Sequence, residues 1–167
     1  EAAPVVDLLK VLGDRRATKA LIGELARTRV KKEKVIDALG QIADPDALVP
    51  LLSLMDDKSL EVRKRVLAVI EPMLDGRAGD VLIQALAEKD EDIRIRSAQY
   101  LGTLGTKAAV PRLLELLGDD TGAKLRTQAI RSLGRIGDAR AGTALVALVK
   151  DGKTELRLEA ADALANL

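Results

Sequence analysis

Residues 92–105 read DIRIRSAQYLGTLG. Two steps inside this stretch recur along the chain. Ile93-Arg94 returns as Val62-Arg63, Leu125-Arg126 and Leu156-Arg157, at spacings of 31, 32 and 31 residues. Leu101-Gly102 returns as Leu39-Gly40, Ile70-Glu71, Leu133-Gly134 and Leu164-Ala165, with the same spacing. A third anchor, Leu51-Leu52, Leu82-Ile83, Leu113-Leu114 and Leu145-Val146, keeps that period too. Three independent anchors on one period of about 31 residues define a repeat array.

Each unit reads as two helices. The first has apolar residues at helical spacing, as in Ala109, Leu113, Leu114, Leu116 and Leu117. An Asp-bearing turn follows, at Asp56-Asp57, Asp90, Asp119-Asp120 or Asp151, and is expected to cap the second helix. The second helix carries Val62, Val66, Val69, Ile70 and Met73 on one side and ends near a glycine such as Gly105 or Gly137. A second Asp, at Asp14, Asp44, Asp75 and Asp138, opens the next unit. The predicted units are a half unit at 4–12 and pairs at 13–43, 44–74, 75–105, 106–137 and 138–167. The first full unit fits worst, with Lys31-Lys32 where the others have an apolar residue and Arg. A two-helix unit of this size cannot bury its apolar faces alone, so neighbours must stack. The expected fold is all-α: a right-handed α-solenoid of about five helix pairs in one domain.

The residues Ala139-Arg140-Ala141, Leu145, Leu148, Leu156-Arg157 and Ala163-Leu164, with the stretch 92–105, resemble the HEAT-repeat family. The likeness is to its short form, first recognised in phycobilisome lyases. It covers nearly the whole chain from Asp14 and implies the armadillo-like superhelix. It also implies that Arg63, Arg94, Arg126 and Arg157 are structural and pair with acidic groups of a neighbouring turn.

Composition narrows the chemistry. The 167 residues hold 27 Lys and Arg against 26 Asp and Glu, with no His and no Cys. Zinc fingers, haem ligation, Cys nucleophiles, disulfides and His-based acid–base catalysis are excluded. Aromatic residues amount to 1%, a single Tyr100 expected in the core. No run approaches the ~18 apolar residues of a membrane span. The start, Glu1-Ala2-Ala3-Pro4, has no signal-peptide pattern, and both ends read as cut from a longer chain. A cytoplasmic location is the expectation.

Helical projection places four columns of second-helix residues away from the core. They contain the candidate partner-binding residues Lys34, Lys64, Arg65, Ile95, Arg96, Gln99, Gln128, Arg131, Arg135 and Leu158. The middle of this concave face is expected to be basic, and Glu159 and Asp162 make its C-terminal end acidic. Gly102 and Gly134 are expected to leave room for a partner backbone. A second basic run comprises Arg27, Arg29, Lys31, Lys32 and Lys34.

The repeated carboxylate pairs sit in turns, where capping explains them, and there is no phosphate-binding Gly-rich loop or Gly-x-Ser-x-Gly. The sequence therefore points to a non-enzymatic scaffold without a cofactor, binding a protein partner such as an acidic peptide, helix or domain. Three alternatives stand beside it: a bilin lyase-type subunit, weak nucleic-acid binding, and a spacer or regulatory arm of a multidomain protein. Few aromatics and near-zero net charge argue against a bilin pocket and nucleic acid, respectively.

Overall fold

The computed structural model describes residues 15–26, 31–151 and 154–167, with the backbone alone at 151 and 154. The half unit at 4–12, Asp14, Arg27, Arg29 and the side chain of Asp151 lie outside the described residues. Among the described residues all regular structure is helical. Ten α-helices form five pairs: α1 Thr18–Leu25 and α2 Lys32–Ile42; α3 Leu48–Leu52 and α4 Leu60–Val69; α5 Gly79–Ala85 and α6 Glu91–Thr103; α7 Val110–Glu115 and α8 Ala123–Ile136; α9 Gly142–Asp151 and α10 Thr154–Leu164.

Every first helix is entered through one 3-10 turn, as at Pro45–Ala47 and Ala139–Ala141. At three of these turns the Asp ahead explains it, whereas the turn Lys107–Ala109 follows Thr106 without a side-chain cap. Asp44, Asp75 and Asp138 each accept the backbone N–H two residues on, at 3.2, 2.9 and 3.0 Å. That satisfies a donor the turn would leave orphaned. The expected second-helix caps are realised unevenly. Asp90 accepts from Ile93 N at 3.1 Å, as its position predicts. At α4 the cap is Ser59, whose hydroxyl accepts from Val62 N at 3.4 Å. Asp57 instead takes the Ser59 N–H and the Lys32 ammonium. At α8 the cap position is Gly122, and Asp119 accepts from Arg126.

The second helices end largely as expected. Gly105 and Gly137 adopt φ of 62° and 65°, where a side chain is disfavoured. Ala43 takes the same left-handed cap with φ 53°. Helix α4 differs: it stops at Val69, and Ile70 and Met73 follow outside it. Pro72 supplies the reason: it has no N–H to donate four residues back, and the chain goes on as the 3-10 turn Glu71–Met73.

The chain divides into two compact units, Glu1–Ala78 and Gly79–Leu167. In the first, α2 packs on both α1 and α4. Its core is built from Leu21, Ile36, Leu39, Leu48, Leu51 and Leu67, all fully buried. In the second, α8 lies between α6 and α10, and each first helix leans on its own partner. Tyr100, Leu101, Leu113, Ile130, Leu133 and Leu145 fill that core. Each such side chain contributes about 1.5–3 kcal/mol by leaving water. Within each unit the second helices thus form one layer, and their outward columns share a surface.

Candidate functional site

Contact between successive second helices depends on small residues. A Cβ built on Gly134 would lie 2.7 Å from the Ala163 Cα, and one on Gly102 would lie 2.9 Å from the Ser132 Cα. A Cβ on Gly40 would overlap the Val69 side chain in the same way. The expectation that Gly102 and Gly134 leave room for a partner backbone is therefore corrected. Both are buried, and the next helix of the chain occupies the space. Helical projection alone could not separate a position facing solvent from one facing the next repeat. Ser132 ties the same contact together by donating to the Ala98 carbonyl at 2.6 Å.

The Arg column holds the turns. Arg63 donates to the carbonyls of Asp57 and Lys58 at 2.7 and 3.4 Å, and Arg126 to the Asp119 carboxylate at 2.7 Å. The Nε atoms of Arg63, Arg94 and Arg126 are buried with no acceptor. Arg157 is exposed. In the same column, Lys32 pairs with Asp57 of the next repeat at 2.6 Å. That hydrogen bond, with the Ser59 N–H, holds the Asp57 carboxyl below the usual carboxylate range.

A second device was not foreseen. Arg77 grips Asp75 through Nε and a terminal nitrogen, at 3.0 and 2.7 Å. The same terminal nitrogen donates to the Pro45 carbonyl at 3.0 Å. Arg140 repeats this with Asp138 and the Lys107 carbonyl at 2.8 Å. Each Asp-x-Arg clamp thus fastens the opening turn of one repeat to that of the repeat before. The recurring Asp-x-Arg spacing was the available signal. Arg140 also pulls the Asp138 carboxyl far below its ordinary value.

On the outward columns of the first unit, Lys34 is exposed and Lys64 and Arg65 are half-buried. Arg65 bonds Asp37 of the preceding repeat at 3.4 Å and Glu61 of its own helix at 3.1 Å. In the second unit, Ile95 and Gln99 are half-buried, and Arg96 and Arg135 are exposed. Gln128 donates to Ser132 Oγ at 3.1 Å. Arg131 makes a two-pronged bond to Glu159, with Nε to Oε2 at 2.8 Å and the second prong through a terminal nitrogen. This geometry raises the Arg131 pKa and lowers that of Glu159. Arg65 and Arg131 are therefore compensated charges, each engaged with a carboxylate of a neighbouring second helix.

Beside this pair lies a cleft of about 310 Å³, lined by Ala123, Lys124, Thr127, Gln128, Arg131 and Glu155. It joins Gln128 and Arg131, read from the sequence, to Lys124 and Glu155, which were not. Lys124 and Glu155 stand one helical turn ahead of Gln128 and Glu159, so the same columns extended by four residues would have found them. Leu158, one turn past Glu155, is 66% exposed.

Helix pairs opened by a 3-10 turn and stacked through their second helices define a repeat protein of the armadillo and HEAT class. The chain belongs to the HEAT-repeat family. The family model for HEAT repeats matches residues 79–165, and that for the PBS lyase HEAT-like repeat matches residues 32–57. No curated protein matches the sequence. Among solved structures, the chain is similar to the complex of CpcE and CpcF of phycocyanin lyase from Nostoc sp. PCC7120. The TM-score is 0.72 at 20% identity, over 90% of this chain and 64% of that one. It is also similar to a designed armadillo repeat protein in complex with the peptide (KR)4, with TM-score 0.67, 18% identity and coverage of 96% and 90%. Human deoxyhypusine hydroxylase gives TM-score 0.55 at 20% identity, covering 98% and 78%. At these identities the likeness is one of fold. Among the described residues no helix is long and apolar enough to cross a membrane.

Proposed function

We propose that the chain is a non-catalytic protein-interaction scaffold that holds an acidic peptide, helix or domain on the exposed face of its second helices. The repeat family supports the general role. The observation that carries the particular reading is the cleft beside the Arg131–Glu159 pair. It offers Lys124 at its rim, with Arg135 one turn beyond Arg131 and the apolar Leu158 exposed nearby. A partner carboxylate would meet Lys124 and Arg135, while Arg131 stays engaged with Glu159. Such a polar rim with one apolar contact suits a transient interface.

Binding of a labelled acidic peptide, read by anisotropy at two salt concentrations, tests this reading. Lys124→Glu, Arg96→Glu and Arg135→Glu together should weaken binding by at least about tenfold, ~1.4 kcal/mol, with helicity intact. Unchanged affinity would remove the assignment.

The likeness to the phycocyanin lyase complex favours a second reading, a bilin lyase-type subunit. Against it stands the burial of Tyr100, which leaves the surface without an aromatic for a tetrapyrrole. An absorbance shift on adding bilin would support that reading.

A further inference from the structure

At one level of the second unit the free charge changes sign across the second helices. The repeat carries Arg96 of α6 onto Gln128 of α8 and Glu159 of α10, and Asp92 onto Lys124 and Glu155. Arg96, Lys124 and Glu155 are exposed. Among the described residues their side chains join no hydrogen bond or ion pair. Asp92 already has a partner, and Glu91 lays its carboxylate against Gly122 at the start of α8. The free charges therefore run cation on α6, cation on α8, carboxylate on α10.

Register keeps Lys124 and Glu155 from joining. The bridges Asp37–Arg65 and Arg131–Glu159 each link residues 28 apart. Counting 28 on from Lys124 gives Gly152, and 28 back from Glu155 gives Thr127, so neither charge meets an opposite one. Both nevertheless line one cleft. The cleft is open because α8 has Ala123 and Thr127 where α6 has the longer Glu91 and Ile95. Lys124 and Glu155 thus face a shared space that the chain itself does not fill.

Packed helices lie ~8–10 Å apart and an extended segment advances ~3.3 Å per residue, so about three residues of a partner span one helix to the next. We infer that the partner segment is charge-ordered: an extended stretch laid across α6, α8 and α10, acidic over Arg96 and Lys124 and carrying a Lys or Arg about three residues further on, over Glu155. The basic side chain enters the cleft with its stem over Ala123 and Thr127 and its head on the Glu155 carboxylate. This rests on the acidic-partner reading and narrows it, because a uniformly acidic segment would set a carboxylate against Glu155.

The probes are three labelled peptides with blocked ends: Glu-Gly-Ser-Glu-Gly-Ser-Lys, its isomer Glu-Gly-Ser-Lys-Gly-Ser-Glu, and the all-acidic Glu-Gly-Ser-Glu-Gly-Ser-Glu. The two isomers share composition and net charge, so non-specific attraction treats them alike. Anisotropy with the full chain should show the first peptide binding at least about fivefold tighter than its isomer, and tighter than the all-acidic peptide. Glu155→Lys should invert the order and make the all-acidic peptide the tightest, a gain that misfolding cannot produce. Glu155 is exposed, so unaltered circular dichroism is expected of that variant. Equal binding of the two isomers would overturn the inference, and so would an order that Glu155→Lys leaves unchanged. If the all-acidic peptide is the tightest on the parent chain, the charge order falls while the acidic-partner reading stands. If none of the three binds, both fall.

Discussion

Arg131 and Glu159 stand 28 residues apart and form the same bridge between neighbouring second helices as Asp37 and Arg65, with the charges exchanged. The two columns concerned accept either polarity because the geometry asks only for opposite signs. A double-mutant cycle on Arg131→Ala and Glu159→Ala should give a coupling of about 0.2–1 kcal/mol, small because the pair is partly solvated. The swapped pair Arg131→Glu with Glu159→Arg should recover most of that coupling in chemical denaturation.

Gly134 should not tolerate a side chain. Its missing Cβ is replaced by the backbone of the next helix, which cannot swing aside. Gly134→Ala is expected to cost about 1–3 kcal/mol. Gly76→Ala is the control. A Cβ at Gly76 would meet nothing within 4 Å, so stability should change by less than about 0.5 kcal/mol. Thermal melts of the two variants check the contrast.

Ala43 holds a conformation that Gly105 and Gly137 adopt without penalty. Ala43→Gly should therefore stabilise the chain, by about 1 kcal/mol. A fall in stability would mean that the left-handed cap is not strained.

Acid should destabilise the protein through its clamps. The carboxyls of Asp44, Asp57, Asp75, Asp138 and Glu159 are all held below their ordinary values by hydrogen bonds, in most cases from a neighbouring cation. Near pH 4 the unfolded chain takes up protons that the folded chain refuses. Stability is thus present above that range and is lost as pH falls from about 5 towards 2. Asp138→Asn should flatten the dependence of Tm on pH while keeping an acceptor for the Arg140 N–H. An unchanged slope would mean that the clamp does not contribute.

The helix pairs and the period were legible because each depends on a short local pattern repeated along the chain, and the glycine ends at Gly105 and Gly137 because a left-handed cap favours that residue. The column of Arg63, Arg94 and Arg126 was legible as a column. Its partners were not, since Arg63 uses backbone carbonyls that no side-chain code announces. Gly102 and Gly134 were misread because a bare helix surface serves equally for a ligand and for the next helix. Helix α4 ended early because Pro72 overrides the apolar pattern that continues to Met73.

The sequence by itself determined the repeat, its two-helix unit and the family, since 3.6-residue periodicity and turn chemistry act over a few residues. Only the tertiary structure decided which charges are spent on neighbouring repeats and which stay exposed. That outcome depends on the axial offset between helices about 30 residues apart. The same offset pairs Arg131 with Glu159, seats Ala163 on Gly134, and leaves Asp162 beside the exposed Ala161 and Ala165.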